Sequence, residues 1–311
     1  MVRPSDTGPA SGGIVTTTDT RIAFIRGQFV PLAEAVIPVM DRGFLFGDGV
    51  YEVTAVIEGR LVDDTPHLAR LARSLAEIDI PNPFAAPEWT AIEKELMRRN
   101  GLRNGLIYIQ VTRGVAERAF AYADGLAPTV VLFPQFQPVQ YSPLTKTGAR
   151  IITLPDQRWT RCDIKSTSLL AQVMAKHAVS QAGAHEAWMT RGDQITEGAS
   201  STAYIVTAGG DVITRDLSPA VLPGITRQTI LKIARARGLT IVERPFTRAE
   251  ALAATEAFYT SASTIAIPVA TIDGHPIGDR EPGPVFQDLY AAYMRDLMDL
   301  PEAWPAEDGH G

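Results

Sequence analysis

An α+β, or mixed α/β, fold in two domains is what this sequence predicts, and three observations carry the prediction. At 311 residues the chain reaches the length at which a single hydrophobic core stops growing. Strand-like and helix-like patterns follow one another in two successive blocks, without the regular alternation that builds a doubly wound sheet. Between the blocks lies PQFQPVQYSPLTKTG (134–148), rich in proline and polar residues and lacking either period, as an interdomain linker is. The expected division is a tail over 1–20, a smaller N-terminal α/β domain over 21–137, a linker over 138–148, a larger C-terminal domain over 149–298, and a second tail over 299–311.

The opening MVRPSDTGPASGGIVTTTDT is small and polar, without an apolar run that could serve as a signal-peptide core, hence the first tail. Residues 23–25 and 28–30 flank Arg26-Gly27 as a hairpin, and 51–56 and 60–62 flank Glu58-Gly59 as a second. Asp64-Thr65-Pro66 supplies a cap and a first-turn proline, after which Leu68, Leu71, Leu75 and Ile78 recur at helical spacing. A second helix spans about 87–100, stopped by Gly101. Residues 106–112 alternate Ile107, Ile109 and Val111 against Tyr108, Gln110 and Thr112, and 129–133 is a short apolar run, so both join the sheet.

Past the linker, 149–153 is strand-like, and Leu169, Leu170, Val173, Met174 and His177 form a helical stripe ending near Gly183. Strands resume at 186–190, 203–207 and 211–214 across the turn sequences RGDQ and AGGD, and 226–237 is a helix between Gly224 and Gly238. The closing LPEAWPAEDGHG, with two prolines and two glycines, reads as a tail or a loosely docked segment.

Composition narrows the function. A 45% hydrophobic chain can bury a sizeable core, and a net charge of −6, spread without a block of either sign, shows no basic stripe for nucleic acid or for a membrane surface. No apolar stretch approaches the roughly 20 residues that span a bilayer. The lone Cys162 excludes an intramolecular disulfide and a cysteine zinc site, and the five histidines lack ligand spacing, so no metal is expected and a reducing, cytoplasmic location is.

Five lysines stand against 24 arginines, so each can be weighed by itself. Lys94 lies in a charged helical stretch, Lys146 in the linker, and Lys176 and Lys232 within helices whose apolar stripes do not need them, so all four read as solvated. Lys165, in RCDIKSTSLL between a strand and a helix, is placed where partial burial would suit a nucleophile or Schiff-base former, although a surface lysine is the commoner occurrence. LPGITR (222–227) is a glycine turn feeding a helix, whose free amides and Thr226 hydroxyl suit one phosphate group; a plain cap by Thr226 is the alternative. TEGASS (196–201) places Glu197 before small hydroxyl residues, or is simply a polar loop.

A Schiff-base lysine, a carboxylate and a helix-end phosphate site are together the parts that hold pyridoxal 5′-phosphate. RCDIKS, TEGASS and LPGITR, in that order and with FGDGVYEV and HLARL upstream, resemble the fold type IV pyridoxal-phosphate enzymes, the class IV aminotransferases, from about Ala23 to about Tyr290. The resemblance implies the two-domain architecture of that family, with the larger domain binding the cofactor, and at least a homodimer with sites near the subunit and domain interface.

Residue by residue, it implies that Lys165 carries the cofactor and shuttles the proton, and that Glu197 pairs with the pyridine nitrogen. Arg70, Ile225 and Thr226 would hold the phosphate, with Ser201 and Ser261 also at the cofactor and Leu222 against the ring face. Ala262 stands where the family often has threonine, and Ser263 is placed to compensate. D-amino-acid aminotransferases are the nearest group: Leu170 replaces the tyrosine common in branched-chain enzymes, and TRGVAERAF resembles the segment whose arginine, matching Arg118, binds the substrate carboxylate beside Tyr51. Phe120 replaces the histidine usual two residues after that arginine. The implied reaction is ping-pong transfer from a D-amino acid, D-alanine or D-glutamate, to a 2-keto acid such as pyruvate or 2-oxoglutarate. The alternatives are an (R)-selective amine transaminase, which Phe120 favours, then a branched-chain L-amino-acid aminotransferase or aminodeoxychorismate lyase. A scaffold that binds without turnover, and a phosphate-binding module without the cofactor, are the readings outside this chemistry.

Overall fold

The structure, a computed structural model, describes residues 19–303, so the expected tails fall largely outside it. β1 (Ile22–Ile25) and β2 (Gln28–Pro31) make the first hairpin around Arg26 and Gly27, both at positive φ. α1 (Arg42–Phe46) leads into β3 (Gly49–Ile57), which turns back as β4 (Arg60–Leu61). α2 (Asp64–Ala76) and α3 (Ala86–Asn100) precede β5 (Gly105–Thr112) and β6 (Thr129–Gln135). These strands form one antiparallel sheet in the order β2-β1-β6-β5-β3-β4. Leu68, Leu71 and Leu75 of α2 and Trp89, Leu96 and Met97 of α3 pack on its Val50, Ile107, Ile109 and Val111, which is where the helical stripes meet the strand alternation.

One cap differs from expectation. The N-cap of α2 is Asp63, at φ 52°, and Pro66 falls at the third helical position. Asp63 makes no cap bond because its carboxylate is used elsewhere, accepting from Thr229 Oγ1 at 3.2 Å and Tyr293 Oη at 2.9 Å.

The second sheet begins after a short 3-10 turn at Val139–Tyr141 and α4 (Leu144–Thr147), so the proline-rich stretch carries structure despite its lack of a period. Its elements run β7 (Ala149–Pro155), α5 (Leu170–Gln181), β8 (Glu186–Arg191), β9 (Gln194–Gly198), β10 (Thr202–Val206), β11 (Val212–Thr214), α6 (Ile225–Ala236), β12 (Ile241–Glu243) and β13 (Phe246–Thr247). They continue as α7 (Arg248–Leu252), β14 (Glu256–Ser261), β15 (Ile265–Ile272), β16 (His275–Pro276) and α8 (Pro284–Met298). The strand order is β12-β11-β10-β14-β15-β7-β8-β9-β13, with β16 on β15. β12 and β13 stand at opposite ends of that order, yet only Arg244 and Pro245 separate them in the chain. Three Cα steps span at most about 11 Å, so the sheet curls almost into a barrel.

Along β10, Ala203 and Ile205 face the barrel interior with Trp188, Phe246 and Tyr259, while Tyr204 and Val206 face α6 and α8. That outer cluster also takes in Ala55, Ile57 and Leu106 of the first sheet, Val62 just after β4 and Val139 of the connection, so the two sheets share a core. The described part of the C-terminal tail is docked: Ala303 N–H donates to Gly59 O at 2.8 Å, and Arg60 Nε to Leu300 O at 2.8 Å.

Beneath β3, where α2 and α3 meet it, Glu93 is fully buried, and neither of its oxygens, nor Asp64 Oδ1 or Thr54 Oγ1, finds a partner. Burial pushes the Glu93 carboxyl well above its ordinary value, and the Asp64 charge adds to the effect. An acid raised in the folded state stabilises most below its unfolded value, and that contribution is lost as pH climbs from there through the raised value. Glu93→Gln, which stays neutral and donates to Asp64, is therefore expected to exceed the parent in Tm by about 2–4 °C at pH 8, with the gap closing toward pH 5. Thermal melts across that range check it; a pH-independent difference would refute the titration.

Candidate active site

A cavity of about 560 Å³ opens where the two sheets meet. The segment between β7 and α5 delivers Lys165 to it. Ile164 is buried in the core of the first sheet, Tyr51 N–H donates to Lys165 O at 2.9 Å, and Lys165 N–H donates to Ser74 Oγ at 3.3 Å. With its backbone pinned, the half-buried Lys165 sends its side chain over the Tyr51 ring, Nζ lying 4.1 Å from the centroid.

Opposite it, β9 presents Glu197, 5% exposed. Glu197 Oε1 is ion-paired with Arg158, and the carboxylate accepts from Leu222 N–H at 3.1 and 3.2 Å. Burial raises the Glu197 pKa, while Arg158 and the Leu222 amide pull it down. Arg158 is in turn held by Asp156, whose oxygens accept from its Nε and Nη2 at 2.9 Å each. TEGASS is thus not a loop through its glutamate: Glu197 is the fourth residue of a strand.

The anion-binding corner forms at the start of α6. Its N-cap is Gly224, with no side-chain cap, so Thr226 is not the cap, and the Ile225 and Thr226 amides have no partner within the helix. Arg70, on α2, reaches the same corner, Nη1 donating to Pro223 O at 2.9 Å. Glu52 orients it, accepting from Nε at 2.7 Å and Nη2 at 2.8 Å, and also meets His67 Nδ1 at 2.9 Å. Two Arg70 N–H bonds remain, which with uncapped amides suit a phosphate. Ser261, bonded to Ser263 at 3.2 Å and Thr264 at 2.8 Å, lines the cavity together with Ala262 and Ser263.

The cavity brings together Tyr51, Arg70, Lys165, Glu197, Ser201, Leu222, Ile225, Thr226 and Ser261, as expected from sequence. It does not bring in Arg118 or Phe120, which lie on an exposed loop outside the cavity of their own chain. Lys176, expected on a solvated face, lines the cavity instead. Its Nζ pairs with the buried Glu186 at 2.8 Å, where Ser200 and Ser201 also donate, at 3.2 and 3.1 Å. No sequence pattern singles out Glu52, His67, Asp156, Arg158 or Glu186. Glu52 and His67 sit inside the quoted motifs FGDGVYEV and HLARL, but their pairing crosses from strand to helix, which no local pattern reports.

These parts fit pyridoxal 5′-phosphate: an amine without an ion pair among the described residues, a buried carboxylate at the cavity wall, and unspent donors at a helix end. The chain matches the family Amino-transferase class IV over residues 49–272, and it belongs to that family. It is a pyridoxal-phosphate-dependent aminotransferase of fold type IV. Among its relatives, D-alanine aminotransferase of Bacillus licheniformis is 40% identical, the match covering 88% of this chain and 95% of that enzyme. D-alanine aminotransferase of Staphylococcus haemolyticus is 36% identical over 88% of this chain and 96% of its own. Among solved structures, the T.th. branched-chain amino acid aminotransferase with pyridoxamine 5′-phosphate superposes with a TM-score of 0.79 at 26% identity, covering 89% of this chain and 94% of that one.

Proposed function

We propose that this enzyme transfers the amino group of a D-amino acid, of the D-alanine or D-glutamate type, to a 2-keto acid in two successive half-reactions. The observation that carries the reading is the convergence on one cavity of Lys165, Glu197 and the α6 start with Arg70, in a chain 34–40% identical to D-alanine aminotransferases. Pyridoxal phosphate, when bound, supplies the sink for the electrons left by a departing α-proton. Lys165 would anchor the cofactor and carry that proton. Glu197 would hold the pyridine nitrogen and Leu222 the ring, Arg70, Ile225, Thr226 and Ser261 would seat the phosphate, and Ser201 would also line the cofactor site.

Arg118 is assigned to the substrate carboxylate, with Tyr51 on the same side. Since Arg118 lies outside its own cavity, it reaches a substrate only in a homodimer that brings the loop of a second copy to the opening. An apolar face suits such a partner: the α5 stripe turns outward, Leu170, Val173 and Met174 being 73%, 60% and 55% exposed. The Leu170, Val173 and Met174 part of the stripe read from the sequence is therefore uncovered within the chain, and α5 packs inward through Ala175 and Val179. No described helix is long and apolar enough to cross a membrane, and the buried, unpaired Cys162 suits a reducing cytoplasm.

The test is a half-reaction on cofactor-loaded protein, following its visible absorbance with D-alanine, L-leucine and (R)-1-phenylethylamine separately. A fast response to D-alanine with little to L-leucine supports the proposal; a response to L-leucine alone overturns its stereochemistry, and one to the amine alone makes Phe120 the mark of an amine enzyme. Arg118→Ala is expected to lower kcat/KM for D-alanine by about 10–150-fold, the equivalent of roughly 1.5–3 kcal/mol of charge-assisted hydrogen bonding, and to spare the uncharged amine. Equal losses on both would remove Arg118 from the carboxylate.

A further inference from the structure

The loop carrying Arg118 covers 113–128 between β5 and β6, with no helix or strand of its own, long enough that a defined position requires something to hold it. Backbone bonds hold its start, Arg42 N–H donating to Gly114 O at 2.8 Å, Arg113 N–H to Asp48 O at 3.0 Å and Ala116 N–H to Met40 O at 3.3 Å, and the stretch beside Arg118 is held by the side chain of Arg42, the first residue of α1 and only 3% exposed. Its Nε donates to Asp48 Oδ2 at 2.8 Å, its Nη1 to Ala119 O at 2.6 Å and its Nη2 to Phe120 O at 3.2 Å. Those carbonyls belong to the two residues that directly follow Arg118. Asp48 also accepts from Arg113 Nε at 2.8 Å, and Arg113 lies 3.6 Å from the ring centroid of Tyr122 further along the loop. Burial raises the Asp48 carboxyl, but hydrogen bonds from Arg113 and Arg42 hold it below its ordinary value, so it stays an anion between them.

Arg118 itself is differently placed. Among the described residues its guanidinium has no hydrogen bond or ion pair; it stands 5.5 Å from the Phe46 ring centroid and 6.0 Å from that of Phe120, and these two rings are 5.6 Å apart. All five of its N–H donors are therefore unspent, and two aromatic rings lie beside the fork. Phe120 does this without offering a hydrogen bond of its own.

We propose that Arg42 is the positioning residue for the substrate-carboxylate arginine: its fork fixes the Ala119 and Phe120 carbonyls to Asp48 and so aims Arg118, which rests on a shelf of Phe46 and Phe120. This rests on the carboxylate role of Arg118 and adds a specificity consequence. Discrimination in favour of amino acids over amines depends on Arg42, because only a carboxylate uses the fork it aims.

The test compares D-alanine with D-alaninol, which replaces the carboxylate by a neutral CH2OH, in half-reactions of Arg118→Ala, Arg42→Met, Arg42→Lys and Phe46→Leu holoenzymes. Arg42→Met is expected to raise KM for D-alanine about tenfold, with kcat within about twofold and the D-alanine to D-alaninol ratio of kcat/KM down by about the same tenfold. Arg42→Lys, which keeps the charge and one donor direction, recovers part of that loss. Phe46→Leu, which keeps the Arg42 hydrogen bonds to Asp48, Ala119 and Phe120 but removes the ring whose centroid lies 4.8 Å from Arg42 and 5.5 Å from Arg118, lowers the ratio by about threefold. If Arg118→Ala is selective while the Arg42 and Phe46 variants lower both donors equally or neither, the positioning role is overturned and the Arg118 reading stands. If Arg118→Ala itself is unselective, the reading falls and the positioning role with it.

Discussion

Lys165→Ala is expected to abolish transamination, by at least about 1,000-fold in kcat, since in the proposed function one substitution removes both a covalent anchor and a general base. The visible absorbance of a lysine-bound pyridoxal should vanish even though Arg70 and the α6 amides remain to retain the phosphate. The fold should be unaffected. Lys165 Nζ makes no ion pair among the described residues and lies over the Tyr51 ring, so the loss of stability is about 0.5–1 kcal/mol. Lys176 is the one other lysine on the cavity wall, and it is committed to Glu186. Lys165→Arg keeps the charge yet has no amine to lose a proton at ordinary pH, so it must be as inactive as the alanine variant. Retained turnover in either would refute the assignment, and a collapsed Tm would make the loss uninformative about chemistry, which is why absorbance, melting and rate belong in one experiment.

Much of this is legible in the chain because it is local. A hairpin turn, the amphipathic α2 and α3, and the order of RCDIKS, TEGASS and LPGITR all lie within windows that a period or motif can report. What could not be read is pairing across distance: Arg70 with Glu52, Arg158 with Glu197, and Lys176 with Glu186 join residues 18, 39 and 10 apart in different elements. The α5 stripe shows a second limit. Periodicity says that a helix has an apolar face, not that its own chain covers that face. Strands of two or three residues such as β12 and β13 carry no period at all, yet their placement curls the second sheet and helps to bring β9 to the cavity.

Glu197→Gln should lower kcat by about 100–1,000-fold while leaving the cofactor bound and the fold intact. The reason lies in how the carboxylate is held. Glu197 faces the cavity with its charge shared between Arg158 and the Leu222 amide, and Arg158 is neutralised from behind by Asp156, whose side chain is fully buried. Glutamine keeps the shape, and Asp156 still balances Arg158, so no buried charge is orphaned. What disappears, in the proposed role of Glu197, is the anion that would face the pyridine nitrogen, leaving the Arg158 cation near a site that would itself have to become positive. Glu197→Gln combined with Arg158→Met should therefore recover part of the rate, an inversion of the usual worsening by a second mutation. Arg158→Met alone acts through titration. Burial already pushes the Glu197 carboxyl up and Arg158 opposes it, so removing Arg158 moves the acid limb of the kcat profile to higher pH. An unmoved acid limb together with an additive double variant would show that Arg158 braces the strand and has no part in charging Glu197.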